Sequence, residues 1–326
     1  MVTENIPAVM SPTMKWKITT SFLLLAALAA NAPLPRDLLA GESSRGGTFL
    51  PMGWGAKGAG LGGAATILIR DDRSAYWNPA NLTMLISPRV SIGTTKPVPE
   101  LENWYSVLSV GTGFMDLRTA PDDDVRMRRL GVALTVSHLG LDLAAGSRWS
   151  ESTVGLSFAL APNHYNTLGF TCRIMKSWTD LDDANAWGTA FDVGWTALLR
   201  NRFWFSVVGR NVYSMISYPD RDEEVDPAWN LALAYERFME RISFECDAVL
   251  KYASLNRLLI GSEISILENM LYIVGGADVR LSEGERTIPS FGLGFTLFST
   301  EVSLAFTFDP EDAFGRQTRV SISYTP

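Results

Sequence analysis

The sequence predicts an all-β protein: a transmembrane antiparallel β-barrel of about fourteen strands, with a short N-terminal segment inside its lumen. Hydrophobic residues make up 47% of the chain and charged residues only 19%. Even so, past residue 30 no stretch of about 18 apolar residues could cross a bilayer as a helix. The apolar residues are instead spread at a period of two, as in strands with one lipid-facing side. An export signal at the N-terminus and the lengths of the connections support the same prediction.

The N-terminus carries the features of a secretory signal peptide. Lys15 and Lys17 precede the apolar run Ile18–Ala30, and small residues follow. A basic start, a short apolar core and a small-residue cleavage zone are typical of such signals. We therefore expect 1–32 to be removed on export, with Met14 as the initiator. The expected destination is the cell outer membrane of a Gram-negative-type bacterium.

Alternating runs supply the predicted strands. In Ile242–Leu250 the residues Phe244 and Cys246 share one face, and acidic residues share the other. Successive side chains of a strand point to opposite faces, so this run has an apolar and a polar side. A β-sandwich would alternate in the same way, but charges in mid-strand favour a polar lumen. The predicted lumen charges are Arg173, Asp192, Glu245, Asp247 and Glu263.

Short and long connections alternate along the C-terminal half. Short ones recur near Pro162–His164, Phe238–Glu240 and Ser299–Thr300, and longer polar ones lie between them, as at Asp309–Gln317. Bacterial barrels have short periplasmic turns and longer external loops. This places the last strand descending to the periplasm and gives about fourteen strands over 86–326. The count is open by two around 114–151.

The region 33–85 differs from the rest and is predicted to be a periplasmic leader followed by a plug. It is rich in small residues and contains a short apolar burst, Ile67–Ile69, before an aromatic–Asn–Pro turn. Small residues allow close packing, and the proline fixes the backbone of a tight turn. The predicted plug glycines are Gly53, Gly55, Gly58, Gly60, Gly62 and Gly63.

Several other functions find little support in the sequence. The run Gly53–Gly58 fits a dinucleotide pattern formally, but no strand precedes it. His138 and His164 have no nucleophile motif beside them, so we expect no enzyme activity. Cys172 and Cys246 cannot form a cysteine-based zinc site, and we expect them to face lipid. No metal or other cofactor is expected. With a formal net charge of −7 and no basic stripe, nucleic acid is not an expected partner either.

The plug region contains the glycine-rich run Gly53–Ala64, then Asp71-Asp72, then Tyr76-Trp77-Asn78-Pro79-Ala80. With these features it resembles the PorV/PorQ-like branch of the FadL (long-chain fatty acid transporter) superfamily of outer-membrane barrels. Ser177–Leu181 with the following acidic pair, and the strand end Gly209–Val212, are also similar to this family. The resemblance implies a fourteen-stranded barrel with a hatch in its lumen. Within that hatch, the turn residues would be Trp77, Asn78, Pro79 and Ala80.

Three functions follow as alternatives. The resemblance implies foremost a role in protein export of the type IX secretion kind, with secreted cargo or other secretion components as partners. The first alternative is a FadL-like channel for a hydrophobic small molecule, with a pocket lined by Leu61, Ile67, Leu68 and Ile69. The second is a barrel that does not transport and stabilises a larger envelope complex. All three place the barrel in outer-membrane lipid.

Overall fold

The computed structural model describes 52–97, 103–118, 126–142, 147–180, 185–200, 202–219, 221–239, 241–267, 270–281, 286–309 and 316–326. All of these residues belong to one compact unit, Ser44–Pro326. The predicted signal peptide 1–32 and the start of the leader lie outside the described residues. No helix in the described ranges is long and apolar enough to cross a membrane.

The described chain begins with short helices and continues as strands. The helices are α1 (Ala56–Gly60), α2 (Ser74–Trp77) and a 3-10 helix (Pro79–Met84). The strands are β1 (Arg89–Thr95), β2 (Asn103–Arg118), β3 (Arg126–Asp142), β4 (Arg148–Asn163), β5 (Asn166–Thr179), β6 (Ala186–Arg200), β7 (Phe203–Ser217), β8 (Asp222–Glu223), β9 (Ala228–Phe238), β10 (Ile242–Lys251), β11 (Ser254–Ile266), β12 (Leu271–Arg280), β13 (Arg286–Leu297), β14 (Thr300–Phe308) and β15 (Arg316–Tyr324).

Fourteen long antiparallel strands form a closed barrel. Each pairs with its neighbours along the chain, β7 pairs with β9, and β1 pairs with β15 to close the ring. The two-residue strand β8 only extends the edge of β7. Closure gives every wall strand two partners, which satisfies the backbone hydrogen bonds that lipid cannot. The predicted number of long strands is therefore confirmed.

The 114–151 region, where the strand count was open, contains the end of β2, all of β3 and the start of β4. Strands β2 and β3 pair continuously from Asn103↔Leu141 to Arg118↔Arg126. Both strands extend past the start of β1, whose Arg89 pairs with Gly111. The end of the barrel that holds Arg89 and Tyr324 is called the terminal end below.

The wall has an apolar outer face and a polar inner face. Large apolar side chains point outward and are exposed, among them Val110, Leu134, Phe158, Phe170, Ile260, Phe291 and Val302. A continuous apolar band of this size would be unstable in water and is expected in lipid. On the inner face Ser109, Ser157, Ser206 and Ser303 are buried. Cys172 is partly buried, Cys246 is exposed on the outer face, and both are free.

The lumen is filled by residues 52–85, which are called the plug below. Its core residues Leu61, Ala64, Ala80 and Leu82 have no exposed surface. They pack against inward side chains of the wall in several apolar clusters. The predicted short segment in the lumen is therefore present, and its contacts with the wall define the candidate site.

Candidate functional site

The first part of the plug follows the wall at backbone distance. A Cβ added at Gly62 would lie 2.5 Å from the backbone nitrogen of Ala277, and Gly62 has φ +68. Both the close approach and the left-handed backbone require glycine there. Gly58 is covered by the Trp77 ring and Gly60 by Val274. Gly53, Gly55 and Gly63 have positive φ.

The predicted turn lies at the centre of the plug. Asn78 ends helix α2, and its side-chain Oδ1 accepts the Ala80 N–H at 3.1 Å, where Pro79 opens the 3-10 helix. Its Nδ2 lies 2.8 Å from Thr196 Oγ1 and 2.9 Å from Ser206 Oγ, both on the wall. The side chain thus caps a helix and also joins the plug to the wall.

Glycines of the wall make room for this turn. A Cβ at Gly194 would lie 2.2 Å from Asn78 Oδ1, and one at Gly169 would lie 2.4 Å from the backbone of Pro79 and Ala80. The turn therefore fits this wall only where β5 and β6 carry no side chain.

Two adjacent carboxylates of β10 hold the next part of the plug. Glu245 accepts the N–H groups of Ile67 at 2.6 Å and Leu68 at 2.9 Å. Asp247 accepts the hydroxyl of Thr66 at 2.5 Å. Both carboxylates are almost completely buried, with 2% and 0% of their surface exposed. Three successive plug residues are thus bound by two predicted lumen charges, which are called the carboxylate pair below.

An ion-pair network joins the plug to the terminal end of the wall. Arg73 of the plug pairs with Asp71 and with Glu301 of β14, and Arg89 of β1 also pairs with Glu301. Burial would raise the pKa of Asp71, but Arg73 and Arg89 outweigh it and hold that pKa below its usual range. At Asp72, burial together with the charge of Asp71 raises the pKa to about 6.

The remaining predicted lumen charges divide between wall and plug. Arg173 of β5 pairs with Asp192 of β6 at 2.6 Å, within the wall. Asp192 also accepts the backbone N–H of Asn211 at 2.8 Å, where the pairing of β6 and β7 shifts register. Glu263 pairs with Lys57 of the plug at 2.9 Å. In the described residues no three His, Cys, Asp or Glu side chains converge to hold a metal ion.

A small cavity lies between the plug and strands β2 to β5. Trp54, Ala75 and Tyr76 line it from the plug, and Tyr105, Val107 and Arg173 are among the lining residues of the wall. It has room for about two water molecules. Trp54 Nε1 and Arg173 Nε are buried without a hydrogen-bond partner. The lining therefore combines aromatic rings with polar side chains of the wall, including threonines of β3, β4 and β5.

The four residues predicted to line a ligand pocket do not line this cavity. Leu61, Ile67, Leu68 and Ile69 are buried in one apolar cluster with Trp77 and inward side chains of the wall. Because they pack against one another and against the wall, these four side chains fill this part of the lumen. As described, they act as core residues of the plug.

Two arginines of the wall that contact the plug, Arg210 and Arg319, were not among the predicted site residues. Arg210 stacks over Tyr76 with its guanidinium carbon 4.7 Å from the ring centroid, and donates to the Trp77 carbonyl oxygen at 3.2 Å. Arg319 donates to the Gly53 carbonyl oxygen at 3.1 Å. The alternation in β15 puts Arg319 on the polar face with Ser321, so the pattern contained a signal for that residue.

No family model matches the sequence, and no curated protein matches it. Among solved structures, the chain is similar to the CymD monoaromatic hydrocarbon channel (TM-score 0.59, 14% identity, 84% of this chain and 98% of that one). It is also similar to a Pseudomonas aeruginosa FadL homologue (TM-score 0.55, 10% identity, 83% and 98%). A third match is the toluene transporter TodX of Pseudomonas putida (TM-score 0.52, 13% identity, 83% and 96%).

These matches cover nearly the whole length of each neighbour. They do not support the narrower resemblance to PorV/PorQ-like proteins, because the neighbours are channels and FadL homologues. At these identities the likeness concerns the fold. In fold, the chain is similar to the FadL-type outer-membrane channels.

Proposed function

We propose that the chain is an outer-membrane channel for small hydrophobic molecules, and that its plug moves to let a molecule pass. The observation that carries this proposal is the cavity between plug and wall, whose lining includes three aromatic rings. Tyr76 and Trp54 face it from the plug, and Tyr105 and Val107 from the wall. The fold neighbours include proteins described as a monoaromatic hydrocarbon channel and a toluene transporter.

The size of the cavity makes plug movement part of the proposal. Space for about two water molecules is too small for an aromatic ring, which needs a cavity of roughly 150 Å³. Non-covalent contacts join the plug to the wall, including the carboxylate pair and the network around Arg73. Such contacts can break and re-form as the plug shifts. A hydrophobic solute would then meet aromatic surface on both sides of the seam.

The proposed location is the outer membrane, with the terminal end in the periplasm. The expected signal peptide 1–32 provides export, and the apolar outer band provides the lipid-facing surface. The proposed partners are outer-membrane lipid and a hydrophobic small molecule. No catalytic step is part of the proposal.

A reversible cross-link between plug and wall tests it. Ala59 of the plug and Ala305 of β14 pack in one cluster, so A59C/A305C, in a chain with both native cysteines replaced by alanine, is the pair for a disulfide, whose formation is checked by thiol titration. We expect vesicles containing the reduced protein to take up labelled toluene, and the oxidised protein to lose most uptake. Single A305C is the control, because it cannot form the cross-link.

Uptake that is equal in the oxidised and reduced proteins would show that the plug does not gate passage. No uptake by the unmodified chain would reject the channel function itself. The export role and the non-transporting role would then be the interpretations to test, by pull-down of secreted proteins and of envelope complexes. No described contact favours either of them over the channel.

A further inference from the structure

We propose that two neighbouring turns at the terminal end form a binding site for the headgroup of an anionic phospholipid. The turns join β6 to β7 and β9 to β10. The site, called the basic rim site below, consists of Arg200, Arg237 and Arg241 above an outward-facing row of rings, Phe203, Tyr235, Phe238 and Phe244. The proposal needs the barrel to span a membrane, but it does not depend on transport.

The three arginines are exposed and free to bind an anion. None of them makes a side-chain hydrogen bond or an ion pair within the described part of the chain. By contrast, the lumen arginines Arg73 and Arg173 have carboxylate partners. A guanidinium group binds phosphate oxygens through two parallel hydrogen bonds, so unpaired arginines at a membrane edge suit a phosphate group.

Pairing of β7 with β9 holds the two turns side by side. Phe203 is opposite Tyr235, the N–H of Glu236 donates to the Arg202 carbonyl oxygen at 3.0 Å, and Arg202 in turn donates to the Arg237 carbonyl oxygen at 2.5 Å. The acidic residues in these turns are fewer than the arginines. Glu236 is occupied by Arg70, and the sequence adds only Glu240. The net charge of the basic rim site is therefore positive.

The row of rings continues from this charge into the lipid-facing band. Ring centroids are 4.6 Å apart for Phe203 and Tyr235, 6.3 Å for Tyr235 and Phe238, and 6.4 Å for Phe238 and Phe244. Aromatic rings below a basic cluster match a lipid whose phosphate lies at the interface and whose chains lie along the wall.

The tip of the β9–β10 turn favours lipid over water. Met239 is 74% exposed and has φ +48, a conformation that asparagine or glycine adopts more readily. A bulky apolar residue at this position is not explained by turn formation. Insertion of its side chain into the lipid interface would explain it, and the site is continuous with the apolar outer face of the wall.

Native mass spectrometry of the detergent-solubilised protein tests the site. The folded chain is mixed with equal amounts of phosphatidylglycerol and phosphatidylcholine, and the ratio of the two bound lipids is measured. We expect the unmodified protein to prefer phosphatidylglycerol, and R200Q/R237Q/R241Q to lose that preference by about tenfold or more. Folding of each variant is checked by its shift in gel mobility on heating, and R237Q alone replaces the triple variant if the latter fails to fold.

The matched control is R148Q/R221Q/R316Q, which removes three exposed arginines from the opposite end and changes the net charge equally. It should keep the preference. Equal loss in both triple variants, or no preference in the unmodified chain, would overturn the proposal. Displacement of the lipid by millimolar inorganic phosphate would assign the arginines to a free anion instead. A dimer that disappears in R200Q/R237Q/R241Q would assign the rim to a second copy. Toluene uptake should not change, which separates this test from that of the channel.

Discussion

Replacing Glu245 by glutamine should loosen one defined part of the plug. In the structure each oxygen of Glu245 accepts one plug N–H, from Ile67 and from Leu68. The glutamine side chain has almost the same shape but only one oxygen. One of the two buried N–H groups therefore loses its acceptor, which costs about 1–3 kcal/mol.

This free-energy cost predicts a measurable increase in the rate of amide hydrogen exchange in the plug. A loss of about 1.4 kcal/mol changes an equilibrium tenfold, so amide exchange at Ile67 and Leu68 should accelerate about fivefold to a hundredfold in E245Q. Hydrogen–deuterium exchange followed by mass spectrometry, on the folded protein in micelles, measures this for the peptide that contains both residues. Strand peptides from β2 to β4 should not change.

The control for this experiment is E263Q. Glu263 also binds the plug, but through the Lys57 side chain rather than through a backbone N–H. Because Glu263 accepts from a side chain, E263Q leaves the acceptors of the Ile67 and Leu68 N–H groups in place, and exchange at these two residues should not change. The assigned role of Glu245 is refuted if E245Q leaves exchange at Ile67 and Leu68 unchanged, or if it accelerates exchange equally throughout the barrel.

Three further predictions concern the plug. G169A should destabilise the protein by about 1–3 kcal/mol in thermal unfolding because its Cβ would meet plug backbone at 2.4 Å. G275A, which meets nothing within 4 Å, should be neutral, and equal effects would contradict the reasoning. N78D should cost more than about 3 kcal/mol, because it buries a charge and removes a donor, while N163D at an exposed turn should cost little. For Asp72, the folded pKa of about 6 lies above its usual value, so the stability that this group contributes is fully present below about pH 4 and is lost as pH rises through 6. D72N should remove this part of the pH dependence of plug protection from proteolysis, and an unchanged profile would show that Asp72 is not its source.

The strands of the wall could be predicted from the sequence because each strand has its own alternation of apolar and polar residues. The alternation of Phe244, Glu245, Cys246 and Asp247 predicts which side chains face lipid and which face the lumen, and the structure agrees. The turn at Asn78 was also predicted from the sequence, because an asparagine followed by a proline is typical of a turn. Both patterns depend only on residues close together in the sequence, so they can be recognised without knowing which distant residues are in contact.

The contacts between plug and wall could not be predicted in this way. Glu245 and Ile67 are separated by 178 positions, and the sequence of neither segment indicates that the two are in contact. Leu61 and Ile69 have the composition of a ligand pocket, yet they pack as core because the wall beside them carries matching side chains. The carboxylate pair was predicted to face the lumen, but its partners were not.

Closure of the ring by β1 and β15 has a consequence for assembly. These strands come from opposite ends of the barrel sequence, so the wall keeps two unpaired edges until its final strand arrives. The plug precedes β1 in the chain, so export that proceeds from the N-terminus would deliver it before any part of the wall. Because Gly131 approaches plug backbone so closely that a Cβ there would lie 2.4 Å from Leu82, the finished lumen leaves little room for threading. The order of export therefore favours a ring that closes around a plug already in place, which would serve the incoming strands as a template.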